Sequence, residues 1–291
     1  MREGKVERAV SIFVPSPPTP LPWGEGRAGR VWIRLHAFLF GVVLAVLAAL
    51  GAAAPARADD RAADGALGER VFRRFCAPCH GRAGQGDGDA ARFLTVPPRD
   101  LSRGVFKWRS TATGSLPTEQ DLVRTVREGT GASRMPAFGA LLPPRELSAV
   151  ARFVMLLSPR FSREPMAPED RLRIPPRPPW SDALVARGRE VYGRMQCARC
   201  HGEGGRGDGP ASAELKDDLG RAVRAFDFTR GDYRGGSAPE DVYRTFMTGL
   251  DGTPMPSFVG SMTPEEAWAL VAFVRTLERP RSWLFSRPAR P

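Results

Sequence analysis

The feature that most constrains this chain is an internal duplication. Cys76-Ala-Pro-Cys79-His80-Gly-Arg-Ala-Gly84-Gln-Gly86-Asp87-Gly88 recurs 121 residues later as Cys197-Ala-Arg-Cys200-His201-Gly-Glu-Gly-Gly205-Arg-Gly207-Asp208-Gly209. Asp121-Leu-Val-Arg124-Thr125 pairs with Asp241-Val-Tyr-Arg244-Thr245, and Arg134-Met135-Pro136-Ala-Phe138 with Pro254-Met255-Pro256-Ser-Phe258, both at an offset of 120. Two copies separated by so long a period are a duplicated globular unit of about 100 residues, not a solenoid. The copies are expected over 59–161 and 181–280. Between them Ser162–Trp180 is rich in proline, which hinders helix and sheet alike, so a semi-rigid, partly extended linker is expected there. A short tail, 281–291, carries the apolar Trp283-Leu-Phe285, which suits docking to a partner or packing on its own domain.

Both copies read as helical. Leu67-Gly68-Glu-Arg-Val71-Phe72-Arg-Arg-Phe75 and Ala183-Leu184-Val185-Ala-Arg-Gly188-Arg-Glu-Val191-Tyr192 place apolar residues three and four apart, just ahead of each cysteine pair. Ser237-Ala-Pro-Glu240 and Thr263-Pro264-Glu-Glu266 have capping-box spacing, the second with proline at the first helical position. The spacing predicts helices through Asp241–Met247 and Glu266–Leu277, with first-copy counterparts over Glu119–Arg127 and Arg145–Leu157. No alternating apolar run is long enough for a sheet. The predicted class is all-α, with long Gly/Pro loops.

Ahead of the first copy, Arg34 precedes the apolar run 37–54, which is followed by Ala56-Arg57-Ala58. A basic lead, an apolar stretch and an A-x-A site describe a secretory signal over 31–58, cleaved after Ala58, with an uncleaved membrane anchor over 37–54 as the rival. Residues 1–30 are Pro- and Gly-rich and read as an extension upstream of a start at Val31. The formal charge of +11 first suggests nucleic acid, but a mature chain from residue 59 carries 36 Lys and Arg against 29 acids, or +7 over 233 residues. The arginines are spread among acids, which is a solvated surface and not a phosphate-tracking stripe.

The chemistry lies in the paired motif. C-x-x-C-H is the attachment pattern of c-type haem: both thiols bond to the macrocycle, and the adjacent histidine is placed to ligate iron from one face. Four Cys and three His in 291 residues would produce one such match by chance with an expected count of roughly 10⁻³. A thioredoxin-type pair needs no histidine and sits in a βαβ pattern absent here, and a zinc site lacks a clear fourth ligand in each copy. Two haem c groups are expected, held by Cys76 and Cys79 and by Cys197 and Cys200, with His80 and His201 as axial ligands. Their four propionates would bring the mature charge to roughly +3.

The sixth ligand is found by elimination. The only other histidine, His36, lies in the signal segment, which leaves Met, Lys, Tyr or an open position. Of seven methionines in the mature chain, Met195 is two residues before Cys197, Met155 reads as helix core and Met166 falls in the linker. Met135 and Met255 stand at equivalent repeat positions, each followed by a proline that stiffens its loop, and are the expected ligands. Met247 and Met262 are the fallbacks in the second copy, where their counterparts are Arg127 and Leu142.

On these residues the chain resembles a dihaem c-type cytochrome with two class I cytochrome c domains, over about 65–280. The G-x-x-G-x-G-D-G continuation after each His, Pro98-Arg99-Asp100-Leu101 and the Met-Pro-x-Phe loops are similar to those of periplasmic cytochromes akin to haem subunits of bacterial respiratory complexes. The resemblance implies that Gly68 and Phe72 pack on Phe153, and Gly188 and Tyr192 on Phe273, as a haem-pocket wall. Pro210 in copy two stands where copy one has Asp89, and a backbone carbonyl in that region is expected to orient the His ring, with different potentials for the two haems. The expected function is periplasmic relay of single electrons between respiratory redox partners. The alternatives are a dihaem peroxidase and the cytochrome subunit of a periplasmic dehydrogenase or oxidase complex. No nucleic acid partner is expected.

Overall fold

Proline and glycine punctuate the chain into short helices, and the helices fall in the same order in both copies. The computed structural model describes residues 62–131, 135–164 and 171–279. Copy one contains α1 (62–71), α2 (Ala77–His80), α3 (Glu119–Glu128), α4 (Pro144–Leu156) and α5 (Arg160–Arg163). Copy two contains α6 (Asp182–Arg194), α7 (Ala198–His201), α8 (Pro239–Thr248) and α9 (Pro264–Thr276). Among the described residues, β pairing is confined to three isolated bridges, so the chain is all-α as its pattern predicts. The leader over 1–58 and the tail over 281–291 lie outside the described residues, as does Met166. No described helix is long and apolar enough to cross a membrane.

Side-chain caps set the starts of α3, α6 and α9. Thr263 and Glu266 form the expected reciprocal capping box at α9, and Thr118 with Asp121 forms another at α3. The box expected from Ser237 and Glu240 does not form. Pro239 occupies the first turn of α8 and holds Ala238 extended as the N-cap, while the Ser237 hydroxyl donates to the Gly231 carbonyl.

The helix before each cysteine pair crosses the last long helix of its copy with almost no space between backbones. A Cβ on Gly68 would collide with the Ala149 carbonyl oxygen, and one on Gly188 with that of Ala269. Glycine is therefore required by close approach, and Phe72 meets Phe153 and Tyr192 meets Phe273 with ring centroids 5.2 Å apart in each copy. α9 is buried along Ala267–Val274, because a second layer covers the side that α4 leaves partly exposed.

That layer is the segment expected to be a linker. Its first residues, to Arg163, belong to α5, so copy one's helical structure runs past 161. Leu172 and Ile174 pack on the core of copy two, and the Trp268 indole donates to the Pro175 carbonyl at 3.2 Å. The same segment bridges Arg171 to Thr111, and the Leu172 amide donates to the Ser110 carbonyl at 2.7 Å. It is extended, as proline dictates, but it is a strap bonded to both copies.

The described residues of the two copies belong to one compact unit. Arg124 crosses to the repeat equivalent of Asp121: it reaches Asp241 at 3.2 Å, and Arg244 holds the same carboxylate at 2.6 Å. The single repeat offset read from the sequence conceals two insertions. Copy two carries extra residues between Gly209 and Phe226, copy one between Lys107 and Asp121, and both insertions land on this seam. Asp218 from one pairs with Arg103 at 2.9 Å. From the other, Arg109 is 1% exposed, donates to the Thr248 carbonyl at 2.9 Å and pairs with Asp251 at 2.8 Å. Burial pushes Asp251 above the ordinary carboxylate range despite Arg109 beside it.

Two outcomes follow for unfolding of the haem-loaded protein. Gly188→Ala is expected to cost about 1–3 kcal/mol, because neither helix backbone can yield to the new methyl group. Arg109→Met removes the buried counter-charge of Asp251, which keeps only the Gly114 amide, and leaves the Thr248 carbonyl with only the Thr113 hydroxyl; it is expected to cost about 3–5 kcal/mol. Chemical denaturation followed by circular dichroism measures both, and a wild-type midpoint in either variant contradicts the packing described.

Candidate haem sites

Each site begins at the end of the helix whose glycine makes the crossing, but the two copies reach it by different local routes. In copy one α1 widens into a π-helical turn, Phe72–Cys76, before α2. In copy two α6 stops at Met195, and Gln196 takes φ 55 before α7 begins. Both routes put the second cysteine and the histidine on a one-turn helix. After it, Gly81 (φ 76) and Gly202 (φ 78) turn the chain back, a conformation that costs a residue with a Cβ. The four cysteines form no disulfide, and burial pushes the Cys76 and Cys197 thiols up to about 12 and about 11, so they are held as neutral S–H groups.

The histidines are held alike. His80 Nδ1 lies 3.0 Å from the Arg99 carbonyl oxygen, and His201 Nδ1 lies 2.9 Å from that of Phe226. A carbonyl only accepts, so Nδ1 carries the proton and donates, which leaves the Nε2 lone pair free for a metal. Burial lowers both histidine pKa values and so favours this neutral ring. The orienting carbonyl therefore does not come from the region of Asp89 and Pro210. It comes from an Asx turn further on, where Asp100 accepts from the Ser102 amide and Asp227 from the Thr229 amide, each at 3.0 Å. The signal was present as Asp100-Leu-Ser102 and Asp227-Phe-Thr229, at an offset of 127 that the inserted residues displace from 121.

The methionine loops are also built alike. Thr130 and Leu250 amides donate to the Met135 and Met255 carbonyls at 3.2 and 3.1 Å, and Phe138 and Phe258 amides return to Val126 and Phe246 on the preceding helix. Met135 and Cys76 pack against one core, and Met255 and Cys197 against the other. Phe75, beside Cys76, meets Phe138 edge-on at 6.1 Å, which ties the first methionine loop to its cysteine motif. The fallbacks Met247 and Met262 are buried members of the copy-two core, and Met155 and Met195 are half-buried beside their cores. Among the described residues no three His, Cys, Asp or Glu side chains gather to hold a metal ion, so a zinc site has no geometry here.

The donor set fits haem c: two thiols, a histidine with one free nitrogen, and a thioether on an apolar wall in each copy. The surroundings differ. His201 stacks on Phe228 at 4.4 Å where copy one has Leu101, and the Tyr192 hydroxyl donates to the Gly202 carbonyl at 2.7 Å where copy one has Phe72. Tyr192→Phe is expected to cost about 1 kcal/mol, read as a lower denaturation midpoint, because the Gly202 carbonyl loses a buried donor.

Comparison with known proteins agrees copy by copy. Residues 63–154 match the family model described as cytochrome C oxidase, cbb3-type, subunit III, and residues 185–278 match that of cytochrome c. The cbb3-type cytochrome c oxidase subunit FixP of Azorhizobium caulinodans is 27% identical over 73% of this chain and 59% of its own length. The FixP subunit of Bradyrhizobium diazoefficiens is 28% identical over 79% and 68%. The chain thus spans less than two thirds of the Azorhizobium protein. Among solved structures, a chain of the reducing HAO-like protein complex of Kuenenia stuttgartiensis superposes with a TM-score of 0.70 at 36% identity, covering 73% of this chain and 96% of that one. Two thiol–histidine sites, each in its own cytochrome c domain, and these relatives place the chain in the dihaem c-type cytochromes, with two covalently bound haem c groups as its cofactors.

Proposed function

We propose that this chain relays single electrons between respiratory redox partners on the periplasmic side of the membrane. In this reading Cys76, Cys79, Cys197 and Cys200 carry the haems, each S–H adding across a vinyl double bond. His80 with Met135, and His201 with Met255, would be the side chains that ligate the two irons. The iron, once bound, supplies the one-electron couple. The protein holds each imidazole by its Nδ1–H, presents a soft thioether that favours the reduced state and raises the potential, and keeps the ligands in an apolar, half-buried setting.

The observation that carries this reading is that the same histidine hydrogen bond and the same methionine loop occur in both copies. Were these side chains to take both axial places, no position would be left at either iron for a substrate, and that would favour outer-sphere transfer over a dihaem peroxidase. Membership of a larger oxidase or dehydrogenase assembly is supported by the relatives' names, since FixP is a subunit of a cbb3-type oxidase and the Kuenenia chain belongs to a complex. Export by the signal over 31–58, or retention by an uncleaved 37–54, is the matching location.

Magnetic circular dichroism in the near infrared tests the ligands. Met135→Ala and Met255→Ala are each expected to remove about half of the methionine-to-iron charge-transfer signal, to lower one midpoint potential and to leave the other haem unchanged. Loss of signal in neither variant overturns the ligand assignment. A high-spin component with peroxide turnover in the wild-type protein favours the peroxidase.

A further inference from the structure

Beside the paired charges of the seam lies a group of cations, Arg99, Lys107 and Arg234, that form no ion pair among the described residues, with Asp218 and Asp217 the acids that attract Arg99. Lys107 in copy one and Arg234 in copy two stand at equivalent places, seven residues after Asp100 and Asp227, the Asx-turn aspartates of the histidine-orienting turns. Both are half-buried. Among the described residues Lys107 makes no ion pair or hydrogen bond, and Arg234 Nε is buried without a hydrogen-bond partner. Their chain neighbours touch across the seam, where a Cβ on Gly235 would strike the Trp108 ring, and the charges of Arg99 and Arg234, added to burial, push the Lys107 ammonium down to about 8. Arg221 adds to the same repulsion, and Asp217 opposes it. The acids close by are already engaged, Asp217 with Arg221 at 2.8 Å and Asp218 with Arg103 at 2.9 Å. A small cavity lined by Lys107, Trp108, Arg109, Arg124 and Arg244 adjoins Gly235, the residue after Arg234.

A half-buried group of like charges from two domains costs free energy unless an anion completes it. Each end of this group leads to a haem site. The carbonyl of Arg99 is the one that holds His80, and the ring of Tyr233, next to Arg234, lies 5.3 Å from that of Phe226, whose carbonyl holds His201. Each haem brings two carboxylates on one edge.

We propose that Lys107 and Arg234, with Arg99 beside them, form a shared receptor at the seam for haem propionate carboxylates from both copies. The charge at the edge of each haem is then coupled to the other. This inference rests on the reading of each copy as a haem domain.

The test uses the holoprotein, and the pyridine haemochrome assay comes first: fewer than two haems per chain overturns the haem reading itself. With two haems present, Lys107→Gln and Arg234→Gln are each expected to lower both midpoint potentials in a redox titration, since loss of one shared cation disfavours added electrons at both sites. Lys107→Arg and Arg234→Lys are expected to preserve them, which separates charge from packing. The propionate bands of the redox-difference infrared spectrum should shift in the Gln variants. A Gln variant that moves only its own copy's potential, or neither, overturns the proposal. So do wild-type potentials that follow the concentration of inorganic phosphate, because the site would then hold a free anion. Should a Gln variant fail to accumulate, the phosphate titration and the infrared bands of Lys107→Arg decide alone: bands unmoved from wild type overturn the proposal.

Discussion

The contact on which each domain depends is a crossing of two helices at a glycine. At Gly68 on Ala149 and Gly188 on Ala269, helix backbones approach so closely that a single methyl group would stand in a carbonyl oxygen. That approach decides where the neighbouring rings meet, so that Phe72 and Tyr192 lean on Phe153 and Phe273 at one common distance. It also aims the end of the first helix, and the end of that helix is the cysteine pair. Close packing leaves little room to rotate one helix on the other, so the crossing serves as the rigid base from which thiols and histidine project.

On this base each histidine is oriented by a group that carries no charge. A backbone carbonyl at Nδ1 fixes both tautomer and ring orientation, and burial keeps the ring neutral, so the donor nitrogen is ready without a proton to lose. The methionine loops approach from a different part of the chain, stiffened by a proline and hung from the preceding helix by an amide of the residue three further on. Histidine and methionine loop are thus each held by backbone hydrogen bonds, in the same way in both copies.

The two domains have diverged where they touch. Each carries an insertion that the other lacks, and each insertion supplies charges to the seam: Arg109 in one, Asp217, Asp218 and Arg221 in the other. Among the repeat-related Asp121, Arg124, Asp241 and Arg244 the contact is one-sided: Arg124 crosses to Asp241, while Arg244 pairs with that same carboxylate from its own copy. The proline-rich segment is bonded on both sides. The two sites are thus held in one body, unlike domains that swing on a spacer.

Much of this was legible in the residues alone. C-x-x-C-H is local chemistry, and any chain that carries it twice in register carries two of the same site. The helices, the all-α class and the glycine–aromatic crossing follow from spacing and from the resemblance those motifs support. The pairing of Met135 with Met255 is legible as a sequence equivalence, while the hydrogen bonds that make their loops alike are seen only in the fold. What the fold alone decided is everything that joins residues far apart in the chain by backbone atoms, which have no sequence signature. The carbonyls of Arg99 and Phe226 could not be read from side-chain identity, because any residue there offers the same oxygen. Ser237 failed as a cap because Pro239 placed the helix start one residue later. The seam was hidden because insertions appear in a sequence as a change of offset, and only tertiary structure shows that Arg109, Lys107 and Arg234 come to lie on one surface.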